Sequence, residues 1–61
     1  MDPIAEIKKL YQRATRATID RDLERAIALL KMLETEDERQ RAAVFMDGLS
    51  QMRSEWKARS V

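Results

Sequence analysis

Sixty-one residues allow one domain and no more. A chain this short buries only roughly 60% of the surface of its unfolded form, so its own core gives marginal stability. The sequence contains no cysteine and no histidine. It therefore has no disulfide, no thiolate metal ligand and no histidine to act as a general base or zinc ligand. Small domains of this kind gain stability from tight helix packing or from association with a partner.

Charge and hydropathy exclude further classes of protein. Twelve basic and eleven acidic residues give a net charge of +1, whereas nucleic-acid-binding domains are usually strongly basic. No apolar run reaches the length of a membrane span or a secretory signal. The chain begins with methionine and carries no tag-like segment. We therefore expect a complete, natural, cytoplasmic protein that does not bind membranes.

The composition predicts an all-α fold. There is one glycine and one proline, and the sequence is rich in Ala, Leu, Glu, Arg, Lys, Gln and Met, all good helix formers. We predict a single helical domain over residues 1–61. It is a small three-helix bundle, or antiparallel helical hairpin with the N-terminal helix folded back. The predicted helices span about residues 3–15, 18–33 and 36–58.

The first helix has clear start signals. Asp2 is a good N-cap, and Pro3 occupies the first helical position, where its missing N–H leaves no bond unmade. Apolar residues then recur at helical spacing: Ile4, Ile7, Leu10, Tyr11 and Ala14.

A break between Ala14 and Ile19 is predicted from the phase of the next apolar stripe. That stripe consists of Ile19, Leu23, Ala26, Ile27, Leu30 and Leu33. At about 100° per residue, one straight helix would point the two stripes in different directions. Thr18 can cap a new helix, with Asp20 and Asp22 in its first turn. The alternative is one long helix from Pro3 to Leu33, since no glycine or proline forces the break.

The stretch LETEDERQR, residues 33–41, concentrates four carboxylates within five residues, Glu34, Glu36, Asp37 and Glu38. Thr35 and Glu38 fit the capping box, in which Thr35 accepts from a helical N–H and Glu38 reaches back to the Thr35 N–H. Further acids favour a helix N-terminus. A metal site needs convergent carboxylates, whereas consecutive first-turn side chains point apart. We therefore interpret the cluster as helix initiation and expect no metal site.

The third helix has its own apolar stripe and follows a short turn, which predicts an antiparallel hairpin with the second helix. The stripe comprises Ala42, Phe45, Met46, Leu49, Met52 and Trp56.

Several residues lie outside these stripes or at their ends. Leu29 and Met32 are predicted to point away from the second stripe. The helix is then either sandwiched between the other two or in contact with another chain. Val44, Gly48 and Met52 form a row that suits close approach by a helix, either the first helix or a second copy. Trp56 caps the core or anchors a partner. The candidate interface residues are thus Leu29, Met32, Val44, Gly48, Met52 and Trp56.

Basic residues form a strip on the first helix. Lys8, Lys9, Arg13 and Arg16 belong to it, and Arg21 and Arg25 continue it. Such a strip is either a solvated face or a surface for a polyanion.

The sequence contains no pattern of residues typical of an enzyme active site. There is no glycine-rich phosphate loop, and the serines have no histidine beside them to act as a base. Three short helices rarely leave a pocket. We therefore predict no catalytic residues, no cofactor and no small-molecule ligand.

In size, and in its helical hairpin with an acidic bend, the sequence resembles the plasmid RNA-regulating Rop-type hairpins. That resemblance implies pairing of hairpins into a four-helix bundle. No motif corresponds residue by residue, so no site is carried over. We predict a non-enzymatic helical protein-interaction or regulatory module that forms a homodimer or binds a protein partner. The alternative is a nucleic-acid-binding regulator that uses the basic strip in a symmetric dimer.

Overall fold

The computed structural model describes residues 2–58 in full and the backbone of residue 59. Three helices follow one another: α1 (Pro3–Arg13), α2 (Ile19–Lys31) and α3 (Glu36–Arg59). Each packs against the other two. The predicted three-helix bundle is confirmed, and the alternative of one helix from Pro3 to Leu33 is wrong.

The helix α3 sets the length of the molecule, which measures 39 × 18 × 15 Å along its principal axes. At about 1.5 Å per residue, its 24 residues span roughly the longest dimension. The shorter α1 and α2 lie against it. None of the helices within residues 2–59 is long and apolar enough to cross a membrane.

The core is small, and the side chains that residues 2–58 bury in it are all apolar. Its seven buried residues come from all three helices and the turn after α2: Ile7, Ile19, Ala26, Leu29, Leu33, Ala42 and Leu49. The predicted stripes of α1 and α3 are confirmed, since their remaining members are partly buried and pack against these seven, apart from Tyr11. Tyr11 leaves 39% of its surface exposed.

On α2 the buried face differs from the prediction. Leu29, expected to point away from the apolar stripe, is only 3% exposed, whereas Ile27, expected to lie in the stripe, is 41% exposed. Because α2 contacts both α1 and α3, its buried surface is centred on the fully buried Ala26. Leu29 lies nearer to that centre than Ile27 does. The sandwiched arrangement of α2 therefore accounts for Leu29.

The predicted break between α1 and α2 forms through two threonines. Thr15 Oγ1 accepts a hydrogen bond from the Thr18 N–H (3.2 Å), and Thr18 Oγ1 accepts one from the Thr15 N–H (3.0 Å). The Thr18 hydroxyl donates to Asp22 Oδ2 at 2.7 Å. The prediction that Thr18 caps α2 is wrong for its side chain. Its backbone is already helical (φ −109°, ψ −7°), and Oγ1 accepts from none of the described N–H groups of α2.

The other helix starts follow the sequence signals more closely. Asp2 caps α1 by accepting from the Ile4 N–H at 3.1 Å. Thr35 Oγ1 accepts from the Glu38 N–H at 3.2 Å, as the capping box predicts. The second half of the box differs, because Glu38 Oε1 accepts from the Thr35 hydroxyl (2.9 Å) instead of reaching the Thr35 N–H.

Helices α1 and α2 each end two residues earlier than predicted. Helix α1 stops two residues early, at Arg13, where the threonine pair takes over the backbone bonding. Helix α2 ends at Lys31, and the next two N–H groups bond three residues back, Met32 to Leu29 and Leu33 to Leu30. That pattern closes a 3₁₀-like final turn. Arg39 then covers the Leu33 carbonyl by donating from Nε at 3.2 Å.

Candidate interaction surfaces

The six candidate interface residues occupy different environments. Leu29 belongs to the core, and Met52 and Trp56 are partly buried against it. Gly48 is partly buried. Met32 and Val44 are the exposed members, with 64% and 70% of their surfaces accessible. The set is therefore not one continuous surface.

Gly48 provides space for Tyr11. A Cβ placed on Gly48 would lie 2.5 Å from Tyr11 Cε1 and 3.1 Å from Cδ1, which is closer than carbon atoms pack. The Tyr11 ring also packs on Phe45, with ring centroids 5.8 Å apart and planes tilted by 52°. Of the two partners predicted for the Gly48 row, helix one of the same chain is therefore the one that occupies it.

Val44 is an exposed residue beside this contact. It precedes Gly48 by four residues and thus lies on the same flank of α3, one turn away. Tyr11 and Val44 are both exposed, and Tyr11 lies against Gly48, one helical turn from Val44. We call this surface, formed by Tyr11, Val44 and Gly48, the Tyr11–Val44 face. The ion pair between Arg41 and Asp37 (3.1 Å) lies one turn nearer the start of α3.

A second exposed apolar position, Ile27, lies on the side where α2 meets α3. It lines a shallow depression with Leu23, Glu24, Asp20 and Arg53. Sequence reasoning missed it because the spacing of Ile27 fits the apolar stripe.

An ion pair crosses from α2 to α3 at this depression. Arg53 Nε donates to Asp20 Oδ1 at 2.6 Å, and Lys57 Nζ lies 3.9 Å from the same oxygen. The hydrogen bond from Arg53 holds the pKa of Asp20 below its ordinary value; desolvation opposes this, and the charge of Lys57 lowers the pKa further. Asp20 therefore stays ionised and ties the two helices together near neutral pH.

The predicted basic strip on helix one lies only partly on α1, because Arg16 falls in the connection after Arg13, the last residue of α1. Its members Lys8, Lys9, Arg13 and Arg16 are all exposed. Lys9 and Arg13 line an open cleft between α1 and α2, and Lys8 and Arg16 do not. Arg25, at the far end of the strip, is engaged with Glu6 through contacts of 3.4 and 3.5 Å.

The cleft has a volume of about 450 Å³. Its lining is partly charged and partly apolar, and comprises Glu6, Lys9, Leu10, Arg13, Thr18, Arg21 and Asp22. Sequence reasoning predicted that three short helices would leave no pocket, and it had no means to foresee how far α1 and α2 separate beside the threonine connection. The structure brings Arg21 of α2 to the same cleft as Lys9 and Arg13 of α1.

Comparison with known proteins found no matching family model. It also found no significant match among curated proteins or among solved structures. The resemblance to Rop-type hairpins is thus limited to size and pattern, and the structure differs from a two-helix hairpin by its separate, folded-back α1.

Proposed function

We propose that this protein is a small, non-enzymatic helical interaction module that self-associates through the Tyr11–Val44 face. The main support for this proposal is the exposure of Val44. This aliphatic side chain is 70% exposed in the middle of the longest helix, one turn from the point where Tyr11 covers Gly48. A cytoplasmic setting is part of this proposal, because the sequence has no cysteine for an oxidising compartment to use.

A second copy is the partner that fits this face best. Residues 2–58 of this 61-residue chain contribute seven buried residues to the core, and domains of this size gain stability from association. In a twofold contact, the same patch meets itself, so a face must be self-complementary. An apolar centre beside an internally paired Arg41 and Asp37 fits that condition, because the pair adds no net charge to the face.

Sedimentation equilibrium over a wide concentration range tests the proposal. The wild-type protein is expected to dimerise, and Val44→Glu is expected to be monomeric, because the substitution places a charge at the centre of the contact. Ala43→Glu is the matched control, because it introduces the same charge at an exposed neighbouring position that points to a different side of α3. Circular dichroism must show equal helix content in all three proteins.

The outcomes are distinct. A wild-type protein that stays monomeric at millimolar concentration contradicts the proposal. So does a Val44→Glu variant that dimerises as strongly as Ala43→Glu. Loss of dimerisation in both variants would show a general effect of charge rather than a contact at this face.

Nucleic-acid binding remains the second candidate function. It is favoured by four exposed cations, Lys8, Lys9, Arg13 and Arg16, none of which forms an ion pair within residues 2–58. Dimerisation would double this charge. The net charge of +1 counts against it, since affinity for nucleic acid depends on the release of phosphate counterions.

Heparin chromatography tests this second candidate. Nucleic-acid binding predicts retention that weakens with salt and is lost when Lys8, Lys9 and Arg13 are changed to Glu. A protein that passes through heparin unretained at low salt contradicts it.

A further inference from the structure

In the cleft between α1 and α2, unpaired positive charges outnumber unpaired negative charges. Three cations line it, Lys9 and Arg13 from α1 and Arg21 from α2. Throughout the described part of the chain, no carboxylate lies within ion-pair distance of any of them. Three like charges that share one cleft repel each other, so the folded protein gains nothing from their arrangement.

The two carboxylates of the cleft are already engaged. Glu6 accepts from Arg25 on α2, and Asp22 accepts from the Thr18 hydroxyl at 2.7 Å. The Arg25 guanidinium offsets the charge of Glu6, whereas the neutral Thr18 hydroxyl leaves the charge of Asp22 in place. Three cations and one carboxylate in this cleft therefore lack a counter-charge, and an incoming anion would supply one to the surplus cations.

The positions of the cations along the helices also matter. Arg13 is the last residue of α1, and Arg21 is the third residue of α2, so both lie near the 14–18 connection. Lys9 stands one turn before Arg13 on the same side of α1. Glu6 lies further back along α1, beside Arg25. We call the end of the cleft at the connection, which contains Arg13, Arg21 and Asp22, the cationic end, because its cations outnumber its single carboxylate. Glu6, paired with Arg25, lies away from it.

We propose that the cationic end of this cleft binds the phosphate group of a small organic phosphate. Guanidinium groups match the geometry of phosphate oxygens and bind them through paired hydrogen bonds, and lysine adds a point charge. A cleft of about 450 Å³ is larger than a phosphate group requires, and Leu10 in its wall offers apolar contact to an organic part. This proposal differs from the sequence-based prediction of no small-molecule ligand, which stays a prediction.

A long polyanion fits the cleft less well. A nucleic-acid strand that ran through it would pass both the paired Glu6 and the charged Asp22, and Asp22 would repel its phosphates. A compact ligand can contact Lys9, Arg13 and Arg21, whose combined charge exceeds that of Asp22, without running the length of the cleft. A single phosphate or diphosphate group is therefore the ligand that these charges favour.

Amide-resolved NMR titration with inorganic pyrophosphate and with ATP tests the proposal, and adenosine serves as the uncharged control. Both phosphates are expected to shift the amides of Leu10, Thr18 and Arg21 in a saturable way, and adenosine is expected to shift none. Arg13→Gln and Arg21→Gln are each expected to weaken pyrophosphate binding by about tenfold, since each removes a charge-assisted contact. Arg16→Gln and Lys31→Gln, which change exposed cations outside the cleft, are expected to bind like the wild type.

Thermal unfolding provides an independent readout, because a ligand that binds only the folded protein raises its Tm. Pyrophosphate is expected to raise the Tm of the wild type and of Lys31→Gln, and to leave Arg21→Gln nearly unchanged. Circular dichroism without ligand confirms that the variants fold. Equal weakening by all four substitutions would overturn the proposal, since it would mean diffuse attraction to net charge. So would tighter binding of a single-stranded oligonucleotide that depends on Arg16, which would favour the nucleic-acid candidate instead.

The proposed phosphate site is separate from the proposed self-association face. The cleft and the Tyr11–Val44 face lie on the sides of α1 that meet α2 and α3, respectively. A monomeric Val44→Glu variant is therefore expected to bind pyrophosphate with wild-type affinity, and loss of binding in that variant would contradict the separation of the two sites.

Discussion

Tyr11 lies against the bare backbone of Gly48, so that the ring occupies the space that any larger residue at position 48 would need. This contact brings α1 close to the middle of α3 and lets the ring pack on Phe45. An exposed glycine within a helix destabilises it by about 0.5–1 kcal/mol relative to alanine. Here the loss is offset by the packing of Tyr11.

Gly48→Ala is expected to lower the free energy of unfolding by about 1 kcal/mol. The new methyl group would meet the Tyr11 ring, and overpacking costs about 1–3 kcal/mol, of which the better helix propensity of alanine returns about 0.5–1 kcal/mol. Urea unfolding followed by circular dichroism measures the difference.

The effect of Gly48→Ala on the free energy of unfolding is expected to change sign when the Tyr11 ring is absent. In a Tyr11→Ala background, Gly48→Ala is expected to stabilise the protein by about 0.5–1 kcal/mol, because only the helix propensity remains. A double-mutant cycle in which Gly48→Ala has the same effect in both backgrounds would show that the two residues do not contact each other.

Thr35→Ala is expected to destabilise the protein by about 1 kcal/mol, because it removes the oxygen that accepts from the Glu38 N–H at the start of α3. Thr35→Ser keeps that oxygen and is the control. The Tm of each variant, compared with the wild type, measures the effect. If serine and alanine lower the Tm equally, the cap does not form in solution.

Asp20 is expected to make stability depend on pH in the acid range. Its pKa is lower in the folded protein than in the unfolded chain, chiefly because of the hydrogen bond from Arg53. A depressed carboxyl pKa contributes stability above the unfolded value, about 4, and that contribution disappears as the pH falls through the folded value.

Urea midpoints of the wild type and Asp20→Asn measure this contribution. The wild type is expected to have the higher midpoint near pH 6, and the two are expected to converge near pH 2. Arg53→Gln should remove most of the pH-dependent difference, since it removes the donor. A constant difference between the wild type and Asp20→Asn across the whole range would rule out the ion pair as its cause.

Alanine substitutions of Leu29 and Ile27 test which side of α2 faces the core. Leu29→Ala is expected to lower the free energy of unfolding by about 2–5 kcal/mol, because it leaves a cavity beside Ala26 and Leu33. Ile27→Ala is expected to cost less, since Ile27 is 41% exposed. Chemical denaturation of both variants gives the comparison. A larger loss for Ile27→Ala would mean that α2 is rotated relative to the structure described here.

Local chemistry was enough to predict several features. Asp2 with Pro3, and Thr35 three residues before Glu38, are signals that a few neighbouring residues complete on their own. The break between Ala14 and Ile19 was predicted from the phases of two apolar stripes, a property that each helix carries in its own sequence. The caps could be predicted because their interactions lie within one turn of the chain, and the break because each stripe belongs to a single helix.

Only the tertiary structure decided which side of α2 is buried, what covers Gly48, and how the basic strip divides. Leu29 and Ile27 are equally apolar, and they differ in exposure because α2 is sandwiched between two helices rather than packed on one. A second copy was an alternative partner for Gly48, and the packing of α1 on α3 places Tyr11 there. Lys9 and Arg13 share a cleft with Arg21 only because α1 turns back at the threonine pair. The sequence determined where the helices begin and which residues are apolar or charged. Their relative rotation, which depends on contacts between residues far apart in the chain, determined which of those residues meet.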